Sequence, residues 1–178
     1  MTNQRGCKVV IVSPALADAN NGNWQTARRW QQHLSAIFPT RIVKQWPDAE
    51  AGKDRVMIAL HARRSADAIA AWCAAHPGPA AASGLAVVLT GTDLYRDIQT
   101  DLAAQRSLAL AQALVVLQEC APESLPAGVR CKSRVIFQST AARQTLAKSP
   151  NRLRLVMVGH LRAEKSPETL FAAARLLA

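Results

Sequence analysis

Acidic side chains, aromatic rings and paired cysteines are all in short supply in this 178-residue sequence. Asp and Glu number 12 against 22 Lys and Arg, a formal net charge of +10 with histidine neutral. Such an excess admits nucleic acid, an anionic membrane or a phosphorylated ligand as partner. The aromatic content argues against the first, because three Phe, one Tyr and four Trp, 4% of the chain, leave few rings for base stacking. Residues 130–154 hold Arg130, Lys132, Arg134, Arg143, Lys148, Arg152 and Arg154 and no acid. These are scattered singly, with no Lys/Arg cluster, RNA-binding motif or zinc-finger spacing, as on a generally basic surface. No stretch reaches the ~18 uninterrupted apolar residues that span a bilayer. The apolar run near the amino terminus is short and closed by Ser13 and Pro14, unlike a secretory signal. A cytoplasmic protein without a membrane span is expected. Cys7, Cys73, Cys120 and Cys131 form no C-x-x-C pair and no metal-ligand spacing, so reduced thiols are expected rather than a disulfide framework or a metal site. A G-x-G-x-x-G fingerprint is also missing, which disfavours dinucleotide binding of the usual kind.

What the sequence does have is alternation of buried-strand runs with helical patterns. Residues 7–12 (CKVVIV), 41–46, 55–60 (RVMIAL), 85–89 (LAVVL), 113–117 (ALVVL) and 133–137 (SRVIF) predict six strands. The apolar spacing over 24–38 predicts a helix with Asn23 as N-cap. Residues 65–75 predict a second helix, stopped by His76-Pro77-Gly78-Pro79, and 94–109 a third. Continuous apolar strands separated by helices imply an α/β fold, a Rossmann-like doubly wound parallel sheet covered on both faces. Its expected extent is 5–140. Polar residues 141–151 read as a linker. A fresh strand at 153–158 and a helix from about Glu168 then open a second βα pattern over 152–178.

In such a sheet ligands bind at the carboxyl ends of the strands, so the residues there are the candidates. After the first strand, Asn21, Gly22 and Asn23 form a turn with backbone N–H groups at a helix start, suited to an anion or simply to capping. After the third, His61, Arg63 and Arg64 combine an acid–base group with two phosphate-matching forks. After the fourth, Thr90, Gly91, Thr92 and Asp93 offer close backbone approach, two hydroxyls, and a carboxylate able to cap the next helix or serve as a base. Glu119 and Gln138-Ser139 close the fifth and sixth strands with weaker signals, and structural roles are expected there. At the last βα pattern, His160, Arg162 and Lys165 can surround a diphosphate near a helix N-terminus.

The stretch VMVGHLRAEKSPETLFAAARLL resembles the opening of the C-terminal domain of GT-B glycosyltransferases of the retaining family 4, whose pattern is roughly V-G-R-L-x-x-x-K-G-x-x-x-L-L-x-A. NNGNWQTARRWQQHL, IALHARRSADAI and VVLTGTDLYRDI together look like a bacterial subgroup of these transferases, with selenosugar synthesis in selenoneine formation as its representative activity. The resemblance implies a UDP-sugar donor (UDP-N-acetylglucosamine or UDP-glucose) and selenophosphate as acceptor, with no resident cofactor or metal. It places the acceptor against the N-terminal domain and the donor against the C-terminal one. Lys165 matches the family lysine at the donor diphosphate. His160 stands where the wider family has arginine, Arg162 being near enough in sequence to supply charge. Ser166 replaces the common glycine, and Gly22 falls at the family's first loop. His61 or Asp93 is then the expected proton-handling group, and Arg63 and Arg64 the acceptor-anion ligands. The family's acidic donor motif has no counterpart, so the resemblance implies a chain holding the acceptor domain and only the first βα unit of the donor domain, inactive alone. Transfer to an ordinary hydroxyl acceptor and a non-catalytic anion- or nucleic-acid-binding α/β module are the other readings.

Overall fold

The computed structural model describes residues 7–79, 83–141, 144–152, 155–158, 161 and 166–176. The chain forms two units, Met1–Thr140 and Ala141–Ala178.

The first unit is built from β1 (Lys8–Val12), α1 (Gly22–Leu34), β2 (Thr40–Val43), β3 (Asp54–Leu60), α2 (Ala66–Ala75), β4 (Leu85–Val88), a wide helical segment (Asp93–Asp97) leading into α3 (Ile98–Thr100), α4 (Leu102–Leu110), β5 (Ala113–Val116) and β6 (Ser133–Val135). The six strands make one all-parallel sheet in the order β2-β1-β3-β4-β5-β6, the α/β architecture expected. Val10 lies opposite both Arg41 and Met57, which sets the register of the first three strands. Side chains alternate between faces, as a pleated strand requires. Val10, Val12, Met57, Ala59, Leu85, Val87, Leu114 and Val116 join α2 and α4 on one face. Ile11, Leu60, Val88 and Val115 pack with Ala27 of α1 on the other. Both faces being apolar, the strands read as unbroken hydrophobic runs.

Strand order reverses at β1: β2 lies on one side of it and every later strand on the other, so a topological switch falls between β1 and β3. The connection from β2 to β3, residues 44–53, crosses β1 with only a short helical turn, Ala51–Lys53, where a full crossover helix is usual. Trp46 fills the place of that helix. It is buried, its ring lies 5.1 Å from Trp72, and Trp72 stacks on His76 at 4.0 Å. The expected strand over 41–46 therefore ends at Val43, because Trp46 is apolar for packing from a loop and not for a place in the sheet.

Two helix expectations also change. The cap of α1 is Asn21, not Asn23: the Asn21 side chain accepts from the N–H groups of Asn23 and Trp24, and the helix starts at Gly22. The helix expected over 94–109 is broken at Asp101, which has extended backbone and accepts from Ala104 N–H at 2.9 Å, capping α4 afresh.

In the second unit α5 (Pro167–Leu176) forms where a helix was expected. Of the strand expected at 153–158, residues 155–158 are described; they form no ladder and are exposed. A lone strand is not stable without a neighbour, and among the unit's described residues there is none. Among the described residues no helix is long and apolar enough to cross a membrane.

Candidate functional site

The turn after β3 carries the clearest departure from ordinary backbone. His61 has φ 72°, in the left-handed region that costs a non-glycine residue about 1 kcal/mol. Neighbours hold it there. His61 N–H donates to Val88 O at 2.8 Å, Ser65 Oγ donates to Leu60 O at 2.7 Å, and Ser107 Oγ donates to Ala62 O at 2.8 Å. The imidazole is buried, with Nδ1 3.9 Å from an Asp93 oxygen and Nε2 3.9 Å from an Asp97 oxygen. Arg64 N–H approaches Nδ1 at 3.4 Å, which favours the tautomer with its proton on Nε2, facing Asp97. Burial pushes the imidazole below its ordinary value of 6.5, against the pull of Asp93, so the ring is neutral near pH 7.

Asp93 is fully buried and both of its oxygens are engaged by backbone. One accepts from Ala62 N–H at 2.9 Å; the other accepts from Thr90 N–H at 2.9 Å and Gly91 N–H at 3.0 Å. This geometry gives Asp93 the work of tying the ends of β3 and β4 together, rather than that of a base open to a ligand. Gly91 has φ 133°, which glycine adopts without a side-chain clash and which brings its N–H onto Asp93. The side chain of Thr92 makes no capping bond.

Asp97, one helical turn beyond Asp93, is buried and gathers charge around it. Arg96 Nε donates to it at 3.1 Å, and Arg63 lies 3.7 Å from it and 3.8 Å from Asp101. Arg63 is thus directed toward two carboxylates, while its neighbour Arg64 lines a different space.

That space is a groove of about 580 Å³ at the switch between β1 and β3. Its walls are Val12 and Pro14 after β1, Lys44, Trp46 and Pro47 of the crossover, and Arg64, Ser65 and Asp67 at the start of α2. It lies between the crossover and the start of α2. The Lys44 and Arg64 side chains are exposed and make no hydrogen bond or ion pair among the described residues.

The turn at Asn21, Gly22 and Asn23 contributes differently. Two of the N–H groups that could meet an anion, those of Asn23 and Trp24, already reach the Asn21 side chain. Gln138 Nε2 donates to Thr26 Oγ1 at 2.9 Å and Arg29 Nε to Ser139 Oγ at 3.3 Å, so the segment after β6 is fastened onto α1. The basic stretch is in part structural. Lys132 donates to Ala109 O and Ala111 O at the end of α4, Arg130 to Leu125 O and Glu123 O, and Arg134 to Ser133 O. His160, Arg162 and Lys165 lie outside the described residues. Among the described residues no group of three or more His, Cys, Asp or Glu has the arrangement to hold a metal ion.

No protein-family model matches the chain, and no curated protein is significantly similar to it. The geometry stands by itself.

Sequence reasoning missed Lys44 because the second strand was drawn through it; ending that strand at Val43 puts Lys44 at a carboxyl end. Asp97 was also missed. Its signal was the spacing of Asp93, Asp97 and Asp101, which on a helix sets acids on neighbouring turns of one face.

Proposed function

We propose that the first unit is the acceptor side of a GT-B-type glycosyltransferase, of the family-4 kind, that takes a nucleotide-sugar donor and a small anionic acceptor. The observation supporting this is the groove at the β1/β3 switch, where two cations without side-chain partners line a space beside a strained, over-determined turn. In this reading Arg64 holds the acceptor anion. His61, Asp93 and Asp97 are positioning residues that fix the turn carrying Arg64. Gly22 and its flanking asparagines start α1, and His160, Arg162 and Lys165 meet the donor diphosphate.

The reaction proposed is the selenosugar-forming one. A selenium lone pair of selenophosphate forms the bond to the anomeric carbon of the UDP-sugar. The bond from that carbon to the diphosphate oxygen breaks, and its electron pair leaves on UDP. A selenium nucleophile already carries anionic charge at neutral pH, so positioning matters more than a general base. A buried neutral His61 and a fully engaged Asp93 are compatible with that demand. The test is product analysis by mass spectrometry with a protein that carries this unit together with a complete donor domain, after incubation with UDP-N-acetylglucosamine or UDP-glucose and selenophosphate. A sugar–selenium product and released UDP are expected, and Arg64→Gln lowers the yield. Transfer only to hydroxyl acceptors would replace selenophosphate as the acceptor, and no UDP release with any acceptor would remove the transferase reading.

A further inference from the structure

We infer that the switch-point groove binds a tetrahedral oxyanion of the phosphate class between Lys44 and Arg64. The role of that oxyanion as acceptor rests on the transferase reading above; its binding does not. Three cations in this part of the molecule have carboxylate partners of their own. Arg41 is held by Asp48 and Asp54, Lys53 by Glu50 at 2.7 Å, and Arg63 by Asp97. Lys44 and Arg64 instead share one concave wall, and the carboxylate there is Asp67. Two cations against one acid leave the groove net positive. Val12, Trp46 and Pro47 form its apolar part.

Chemistry narrows the anion further. An arginine fork takes two oxygens of one group in parallel hydrogen bonds, and a lysine ammonium takes a third as a point charge. A tetrahedral dianion supplies a separate oxygen for the second cation, whereas a planar carboxylate bound by the fork must share an oxygen already engaged, as Asp54 does between Arg41 and Trp46. Asp67 on the same wall disfavours extra negative charge and favours a ligand that also presents a hydroxyl or protonated oxygen. The volume, about 580 Å³, also exceeds what one oxyanion fills and lies in the range of pockets for whole small molecules. The oxyanion can therefore come free or as part of a phosphorylated polyol.

Isothermal titration calorimetry with inorganic phosphate, against sodium chloride at matched ionic strength, tests this on the full chain. Saturable one-to-one binding is expected. Lys44→Gln and Arg64→Gln each weaken it by about tenfold or more, the loss of one charge-assisted hydrogen bond. Lys53→Gln, at an exposed lysine with its own partner, leaves it unchanged. Lys44→Arg and Arg64→Lys retain measurable binding, which separates lost charge from a damaged fold. A hexose phosphate that binds more tightly than phosphate identifies a phosphorylated organic ligand; equal affinities identify the free oxyanion. No saturable binding beyond the chloride control, or binding indifferent to both glutamine variants, overturns the assignment. Phosphate binding here, with no glycosyl transfer by a protein that also carries a complete donor domain, would remove the transferase reading and leave this site standing.

Discussion

At the amino ends of β2 and β3, Arg41 is gripped by two carboxylates, whereas at the carboxyl ends of the same strands Lys44 and Arg64 line a common groove with no side-chain partner. The first arrangement is closed. Arg41 donates to Asp48 at 2.6 and 2.8 Å and to Asp54 at 3.1 and 2.6 Å, and Trp46 Nε1 adds a bond to Asp54 at 3.0 Å. These partners hold the Arg41 guanidinium well above its usual value and pull the Asp48 carboxyl below its own. The second arrangement is open. The same two strands thus pair their cation with carboxylates at one end and leave cations without side-chain partners at the other. Position in the sheet, not residue type, decides which.

The comparison can be broken at several points. The largest effect is expected at the closed end. Arg41→Ala leaves Asp54 charged, fully buried and short of its main partner, and should cost about 3 kcal/mol in urea denaturation. Arg41→Lys should recover part of this, since an ammonium cannot reach both carboxylates with two-point bonds. Asp93→Asn comes next. It replaces an acceptor oxygen by an amide that opposes a backbone N–H, at a cost of about 2 kcal/mol, and loosens the Ala62–Gly91 tie. Hydrogen exchange at Ala62 and Gly91 should rise with it.

A smaller effect is expected at His61. Its proton affinity is lower folded than unfolded, so the neutral ring adds stability above about pH 6.5. That contribution is lost as pH falls toward the depressed folded value, because the unfolded chain takes up the proton first. The wild type should lose more stability between about pH 7 and pH 5 than His61→Gln does, carboxylate losses being common to both. Equal slopes would show that the ring titrates alike in both states. The smallest stability effect belongs to the open end. Lys44→Gln and Arg64→Gln should shift the melting free energy by no more than about 0.5 kcal/mol, as exposed groups without partners do.

Much of this was legible in the residues. Unbroken apolar strands fixed the parallel sheet, and the rule that ligands meet strand carboxyl ends led to His61–Arg64 and Thr90–Asp93 before any coordinate. The division of labour within those runs was hidden. Nothing local distinguishes Arg63, turned toward Asp97 and Asp101, from Arg64 at the groove, because that depends on the left-handed backbone at His61. Asp93 reads equally well as base or cap until its three N–H donors are seen. Lys44 was obscured by Trp46, whose burial depends on Trp72, far along the chain, and so was mistaken for strand periodicity.

The most direct test of the contrast is one set of urea denaturation curves, with and without inorganic phosphate, for the wild type, Arg41→Ala and Arg64→Gln. Arg41→Ala should lower the midpoint yet keep the phosphate-induced increase. Arg64→Gln should keep the midpoint and lose the increase. If phosphate stabilises Arg64→Gln as much as the wild type, the open end of the sheet is not the binding site.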